Sequence, residues 1–372
     1  MGVALPIIPA MTLALGGDGM DVGFIFAVQA LGQFLAATSW GALSDRIGRR
    51  NTMIITLFLV ALLELMTAFA SQLWVLYALR FAFGIAGGTI AIGSAHAADI
   101  TTEENRSKGM AVVGVSFGLG FTFGPAIGAF TASFGSKAIG WSDIGLPFVI
   151  ASGFGFLAAF LAFFLIKDAS EKTKARKGGI KQILSYLGYR DLKWMFLIFM
   201  LYTAAAAIME GTMFLYMKET YGFDRTNVGY IFAGLGILTA VIQGGVGRMA
   251  KAWGEKKMIF GGGLSVAVGL LLAPFFKPLL GFIGALGITT AGRAFVHPGI
   301  LALTSLKTPS DEERGKVMGA LQSSSSLGRI WGPAIGGILY ERVSYGAPFW
   351  VAGLIMLFAI LIWRSSWSKS DT

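Results

Sequence analysis

Six ionisable side chains sit inside long apolar stretches of this chain: Glu64, Arg80, Glu210, Arg293, His297 and Arg329. His96 and Asp99 lie near the end of another such stretch. Charged or titrating groups in hydrocarbon are expensive, so each needs a partner, water or a transient ligand, and their usual work is moving ions, protons or substrate. A carboxyl in such a place is suited to carrying a proton, because an apolar surrounding penalises its charge. Arg80 and Arg293 can attract an anion or tune a carboxylate, or else cap backbone carbonyls. His297 follows Arg293 by one helical turn and is a second titrating candidate. Glu64 is read as a group that snorkels or pairs locally, and His96 as an interhelical hydrogen-bonding one.

Other chemistries drop out on composition. The chain has no cysteine and only two histidines. Disulfides, thiolate zinc sites, iron–sulfur clusters and cysteine nucleophiles are excluded, and almost nothing remains for a metal centre. No phosphate-binding G-x-x-x-x-G-K-[ST] loop is present, so nucleotide hydrolysis is not the energy source. No cofactor is expected. Gly118-x-Gly120 with Gly124 mimics a dinucleotide loop, but it has no preceding strand and lies in an apolar run.

The elements that hold these residues follow from hydropathy. Of 372 residues 55% are apolar and 13% charged, about half of the roughly 25% charge of soluble domains. About 20 apolar residues cross a bilayer as a helix. The sequence predicts spans at 1–16, 22–44, 52–71, 73–98, 109–134 and 145–166, then at 194–217, 227–250, 258–276, 278–304, 316–340 and 345–364. The first is short and reads as truncated. The organisation is a six-helix half over 1–166, a linker over 167–193 and a second six-helix half over 194–372. In the linker, Ile180, Ile183, Leu184 and Leu187 keep helical spacing after a basic run, which predicts an amphipathic helix lying on the membrane surface.

Charge sets the orientation. With the N-terminus inside, cytoplasmic segments hold 22 of the 30 lysines and arginines, external loops five and the spans three. This is a strong positive-inside pattern. The formal net charge of +10 is therefore explained by topology and anionic lipid, and nucleic acid is not expected as a partner. N-terminus, linker and C-terminus are all expected in the cytoplasm.

The halves repeat. A shift of 208 places Glu104, Arg106, Lys108 and Met110 on Glu312, Arg314, Lys316 and Met318, and Gly124-Pro-Ala-Ile-Gly128 on Gly332-Pro-Ala-Ile-Gly336. A shift of 206 places Val22-Gly-Phe-Ile-Phe-Ala27 on Val228-Gly-Tyr-Ile-Phe-Ala233, and Gly41 and Gly48 on Gly247 and Gly254. Six spans separate the matching segments, so the repeat is parallel, an arrangement that places a binding site between two rocking halves.

The loop after the second span, Gly41-Ala-Leu-Ser-Asp45-Arg46-Ile-Gly48-Arg49-Arg50, resembles the signature loop of major facilitator transporters. Leu76-x-x-x-Arg80-x-x-x-Gly84 is similar to that family's second motif, with Phe83 where glutamine is common. Gly120-x-x-x-Gly124-Pro125-x-x-Gly128 resembles the motif of its antiporter branch, and Pro6-Ile-Ile-Pro9 the end of its first-span motif. The resemblance covers the whole chain. It implies an all-α membrane fold of twelve helices in two parallel halves, and proton-coupled efflux of small amphipathic organic compounds, as in multidrug or tetracycline exporters.

The resemblance also implies roles. Spans 1, 4, 7 and 10 would surround the cavity, making Glu210 the first proton-coupling candidate, with His297 and Asp99 behind it. Gly41, Asp45, Arg46, Gly48 and Arg49 would form a cytoplasmic latch, with Asp99 its acid at the end of span 4. The second half has Lys251 in place of Asp45, so gating should be asymmetric. Arg80, Gly120, Gly124, Pro125, Gly128, Gly332 and Pro333 are assigned to the conformational switch. Gln29, Gln33, Tyr202, Arg293, Gln322 and Arg329 are assigned to the pocket. The expected partners are protons, a small-molecule substrate and the bilayer, for a monomer in the inner membrane if the source is bacterial. The weighed alternatives are a transporter of one metabolite, such as a sugar or organic anion, and, in other classes, a membrane-embedded enzyme or a channel. An enzyme would need a nucleophile or metal cluster that the sequence does not display.

Overall fold

The computed structural model describes residues 2–4, 6–88, 92–93, 96–97, 100, 116, 120, 123–125, 127–128, 130–131, 144–166, 188–308 and 311–368. The described secondary structure is helical. The α-helices are α1 (Ile7–Ala14), α2 (Gly19–Ile47), α3 (Arg49–Ala68), α4 (Leu73–Ala86), α5 (Leu146–Leu165), α6 (Arg190–Tyr221), α7 (Arg225–Trp253), α8 (Glu255–Leu272), α9 (Leu279–Leu306), α10 (Asp311–Arg342) and α11 (Ala347–Ser368). Each falls on an expected span. The span expected over 109–134 and the amphipathic helix expected around 180–187 lie largely or wholly outside the described residues. Helix α6 begins at Arg190, so the end of the expected linker is already helical, with Asp191 in the first turn complementing the helix dipole.

Eight described helices are long and apolar enough to cross a membrane, and the chain is an integral multi-pass membrane protein. Helix α10 is not among the eight despite its 32 residues. Its composition explains why. Gln322, the Ser323–Ser326 run and Arg329 interrupt the apolar pattern of α10, as befits a helix that turns one face away from lipid.

The helices cluster into two compact units. One comprises Met1–Gly17, Val28–Lys177 and Asp224–Phe232; the other comprises Asp18–Ala27, Gly178–Phe223 and Ala233–Thr372.

In the first unit, α2 and α4 meet backbone to backbone. A Cβ on Gly84 would fall 2.0 Å from the Gln29 carbonyl oxygen, and one on Gly32 would fall 2.5 Å from that of Phe81. Small residues permit this approach, and in lipid, packing at such distances is a main source of helix association. Helix α4 then ends at Ala86, with Gly87 as its cap. Two side chains of α2 bond to carbonyls around this break: the Trp40 indole Nε1 donates to Ile85 and the Gln33 Nε2 donates to Gly87.

In the second unit, α6 and α10 make the corresponding approach. Cβ atoms on Gly328 and Gly332 would lie 2.3 and 2.6 Å from the carbonyl oxygens of Met200 and Ala204. The Thr203 hydroxyl donates to the Ser325 carbonyl at 3.2 Å, tying the same two helices. Pro333 cannot donate to the Arg329 carbonyl, and Pro298 likewise leaves the Ala294 carbonyl free of its helical bond.

The sequence repeat reappears as geometry within each unit. Gly124 and Gly128 pack on the backbone of Gly2 and Val3, as Gly332 and Gly336 pack on Ala204 and Ile208. The paired loops agree as well: Gly48 before α3 has φ 94° and Gly254 before α8 has φ 76°. A side chain would strain both turns, which explains why glycine stands at matching places of the two halves.

Candidate functional site

Three helices of the second unit carry the polar cluster. On α6, Tyr202, Ala206 and Glu210 succeed one another at four-residue spacing and therefore share a face. On α9, Arg293 and His297 do the same. On α10, Gln322, Ser326 and Arg329 share a face beside the one that packs on α6.

The Arg293 guanidinium lies 3.3 Å from the Glu210 carboxylate, joining α9 to α6. The two side chains are 39% and 21% exposed although both stand well inside their helices, so the pair borders open space. Arg293 also interacts electrostatically with the Tyr202 hydroxyl. Tyr202 is buried and stacks on Phe199 with ring centres 6.2 Å apart. The His297 ring packs against both, 5.4 Å from Phe199 and 6.2 Å from Tyr202. Arg329 acts electrostatically on Tyr202 and His297 from α10. Glu210, Arg293, Tyr202, His297 and Arg329, assigned to coupling and binding from sequence, thus come together in one unit. Gln322 lies exposed on the same face of α10 as Arg329.

The first unit holds a different charge cluster. Arg80 on α4 lies 3.1 Å from Glu64 on α3, with side chains 1% and 3% exposed. Its Nη2 also donates to the Thr67 hydroxyl at 2.6 Å. The rings of Phe83 and Phe148 lie 4.7 and 5.5 Å from the guanidinium carbon. This arginine is sealed by its neighbours, and its charge does not face a ligand. The sequence reading paired Glu64 only locally and did not identify Arg80 as its partner. Glu64 and Thr67, spaced three apart on α3, are the signal that was available.

The remaining candidates are dispersed. Gln29 and Gln33 belong to the first unit, where Gln33 is engaged with Gly87 at 3.4 Å. Arg49 donates to the Ser44 hydroxyl at 2.8 Å across the turn at Gly48, and Arg46 is exposed. Gly41 is exposed, and a Cβ there would meet open space. Gly120 and Pro125 are described as helical. The Asp45 side chain and Asp99 lie outside the described residues. Among the described residues, no group of three or more His, Asp or Glu side chains is arranged to hold a metal ion.

This arrangement can exchange charge partners inside a membrane span: a partly exposed carboxylate–guanidinium pair stands beside Tyr202 and His297, on which Arg329 also acts. The Major Facilitator Superfamily profile matches residues 1–246 and 195–367. Tetracycline resistance protein, class B, of Escherichia coli is 30% identical over 381 residues, covering 97% of this chain and 90% of its own length. Multidrug resistance protein 2 of Bacillus subtilis (strain 168) is 28% identical over 389 residues, covering 100% of this chain and 92% of its own. The crystal structure of the human organic anion transporter MFSD10 (TETRAN) aligns with a TM-score of 0.73 at 23% identity, over 97% of this chain and 95% of that one. That likeness is one of fold.

Proposed function

The chain belongs to the Major Facilitator Superfamily and is a transporter of small molecules, and on that premise we infer that it couples proton movement to the efflux of small amphipathic organic compounds by alternating access. The observation that carries this reading is the Glu210–Arg293 pair, a carboxylate and a guanidinium 3.3 Å apart on two spans and only partly buried. The resistance proteins of Escherichia coli and Bacillus subtilis, which match along almost the whole chain, support export as the direction.

In this reading Glu210 alternates between its arginine and a proton. Ionised, it is held by Arg293 and neutralises it. When a proton binds, Arg293 loses its counter-charge and the local field changes, which favours a different arrangement of the surrounding helices. Tyr202, which interacts electrostatically with Arg293, flanks the pair on α6. His297, the second proton-coupling candidate, packs within the same cluster. The close glycine contacts of Gly328 and Gly332 with α6, and of Gly124 and Gly128 with Gly2 and Val3, let these helices slide without side-chain interlocking.

Asp45, Arg49 and Asp99 form the cytoplasmic latch in this proposal, with Ser44 holding the Arg49 guanidinium beside the turn. The two halves are residues 1–166 and 194–372, joined by a cytoplasmic amphipathic linker. In this reading the protein works as a monomer with both termini in the cytoplasm, in the inner membrane if its source is bacterial.

Reconstitution tests the reading. Purified protein in proteoliposomes should show counterflow of amphipathic compounds, tetracycline among them, and should concentrate one of them against its gradient when the pH gradient alone is imposed. Counterflow without any response to the pH gradient would remove the coupling. Absence of counterflow for every compound would remove the transport reading.

A further inference from the structure

The charges described near the middle of the second unit's spans do not balance. One carboxylate, Glu210, stands there with two arginines, Arg293 and Arg329, and it is engaged by Arg293. Arg329 is in none of the ion pairs among the described residues, which are Arg80–Glu64, Arg293–Glu210 and Lys307–Asp191. It makes no side-chain hydrogen bond to a described residue, and Tyr202 and His297, on which it acts electrostatically, are not anions.

An isolated guanidinium in a membrane span carries a heavy cost unless something compensates it. Snorkelling to the headgroups does not suit Arg329. It stands near the middle of the 32-residue α10, where the side chain is far from either end. It shares its face with Gln322 and Ser326 and so points along a polar stripe of α10. Among the described residues nothing supplies the missing counter-charge, a place that a bound anion can fill.

We propose that Arg329 binds the anionic group of the transported compound, so that the substrates are amphipathic organic anions, carboxylates or sulfonates, and lipophilic cations are excluded. This rests on the reading of the protein as a transporter, but not on the direction of transport or the proton's route. With the anion in place, Arg329 has its partner while the Glu210–Arg293 pair stays intact, and every charge of the cluster is neutralised. A cation would add to an uncompensated positive charge in a medium of low dielectric, where such repulsion is severe. The planar fork of an arginine suits carboxylate and sulfonate oxygens better than an ammonium does. Gln322 and Ser326 lie on the same stripe, placed to accept or donate hydrogen bonds to the polar part of the ligand.

A set of compounds with one apolar body and three charges tests this: phenylbutyrate, phenylbutyramide and phenylbutylamine. Binding to the purified, detergent-solubilised full chain should rank the anion first, with the amide weaker by about tenfold and the amine not detectably bound, the scale of one lost charge-assisted hydrogen bond. Arg329→Gln should lower phenylbutyrate affinity by about tenfold and leave the amide unchanged, and Arg329→Lys should restore part of the loss. The proposal is overturned if phenylbutyrate does not bind, if the amine binds as well as the anion, or if Arg329→Gln weakens anion and amide alike. The last result would mean that the residue acts only on the shape of the unit. Counterflow of the same compounds in proteoliposomes separates the two readings. Selective anion binding without counterflow would sink the transporter reading and leave the anion site standing. Counterflow of the amine with no effect of Arg329→Gln would do the reverse.

Discussion

Arg80 and Glu64 lie 3.1 Å apart with side chains 1% and 3% exposed, whereas Arg293 and Glu210 lie 3.3 Å apart at 39% and 21%. The chemistry of the two pairs is the same and their access is opposite. A sealed pair is a structural element, because neither partner can be exchanged for a ligand without opening the helices around it. An open pair can trade partners. Removing Glu64 should therefore damage folding first. Glu64→Ala leaves a guanidinium buried among Thr67, Phe83 and Phe148 without its counter-charge, and the expected loss is about 3–5 kcal/mol. Thermal unfolding in detergent should show it, and replacing Arg80 by Met in the same protein should recover much of it. Unchanged stability of Glu64→Ala would mean that the pair is not tight in the membrane.

Glu210→Gln should separate transport from coupling. The amide keeps the size of the side chain and mimics the protonated acid. Counterflow should persist, while accumulation driven by a pH gradient should disappear. Arg293→Gln should lose accumulation as well, because Glu210 is then left without its partner. A Glu210→Gln protein that still concentrates substrate on a pH gradient would place coupling elsewhere, at His297 or Asp99.

Much of this was legible in the residues. Hydropathy located the helices because a bilayer imposes both length and composition on a span. The two registers of the repeat matched Gly48 to Gly254 and the two Gly-Pro-Ala-Ile-Gly segments to each other, but the positive φ of both turns and the backbone contacts of both segments are facts of the fold. Arg293 could be named as a candidate for Glu210, but their distance could not be read, because the rotation of α9 about its axis depends on packing along its whole length. The same limit hid the Glu64–Arg80 pair. The break after Ala86 was hidden differently. Gly87 and Gly88 signal a weak point in a helix, but that Trp40 and Gln33 reach carbonyls at this point is a tertiary fact.

The latch proposal makes its own forecast. Asp45 lies in the last turn of α2 next to the Ser44–Arg49 contact, well beyond Gln29 and Gln33 on the same helix. Asp45→Asn should slow turnover by about tenfold or more while substrate affinity stays within about twofold, the pattern of a lost contact that matters only between conformations. Equal rates for the two proteins would remove Asp45 from gating.

Topology can be checked from outside the cell. The linker 167–193 holds eight lysines and arginines against three acids, and the positive-inside rule places it in the cytoplasm. Ser170→Cys creates a single thiol in a chain that has none. An impermeant maleimide should label it only after the membrane is opened. Labelling in intact cells would invert the orientation argued from the charges.

The close approach of α6 and α10 is the most local claim and can be tested with one methyl group. A Cβ on Gly328 would fall 2.3 Å from the Met200 carbonyl oxygen and 2.9 Å from the Ala204 nitrogen, both backbone atoms. Backbone cannot swing aside as a flexible side chain does, so Gly328→Ala must push α10 off α6, stretching the Thr203–Ser325 bond and moving Arg329. Gly319, on the same helix, would place its methyl in open space. Gly319→Ala should then be neutral, or stabilising by about 0.5–1 kcal/mol as alanine usually is in a helix. The expected result is a marked fall in melting temperature and in phenylbutyrate binding for Gly328→Ala, with neither for Gly319→Ala. Equal stability and binding of the two variants would show that the helices do not touch at Gly328, and the placement of Arg329 beside Tyr202 and His297 would fall with that contact.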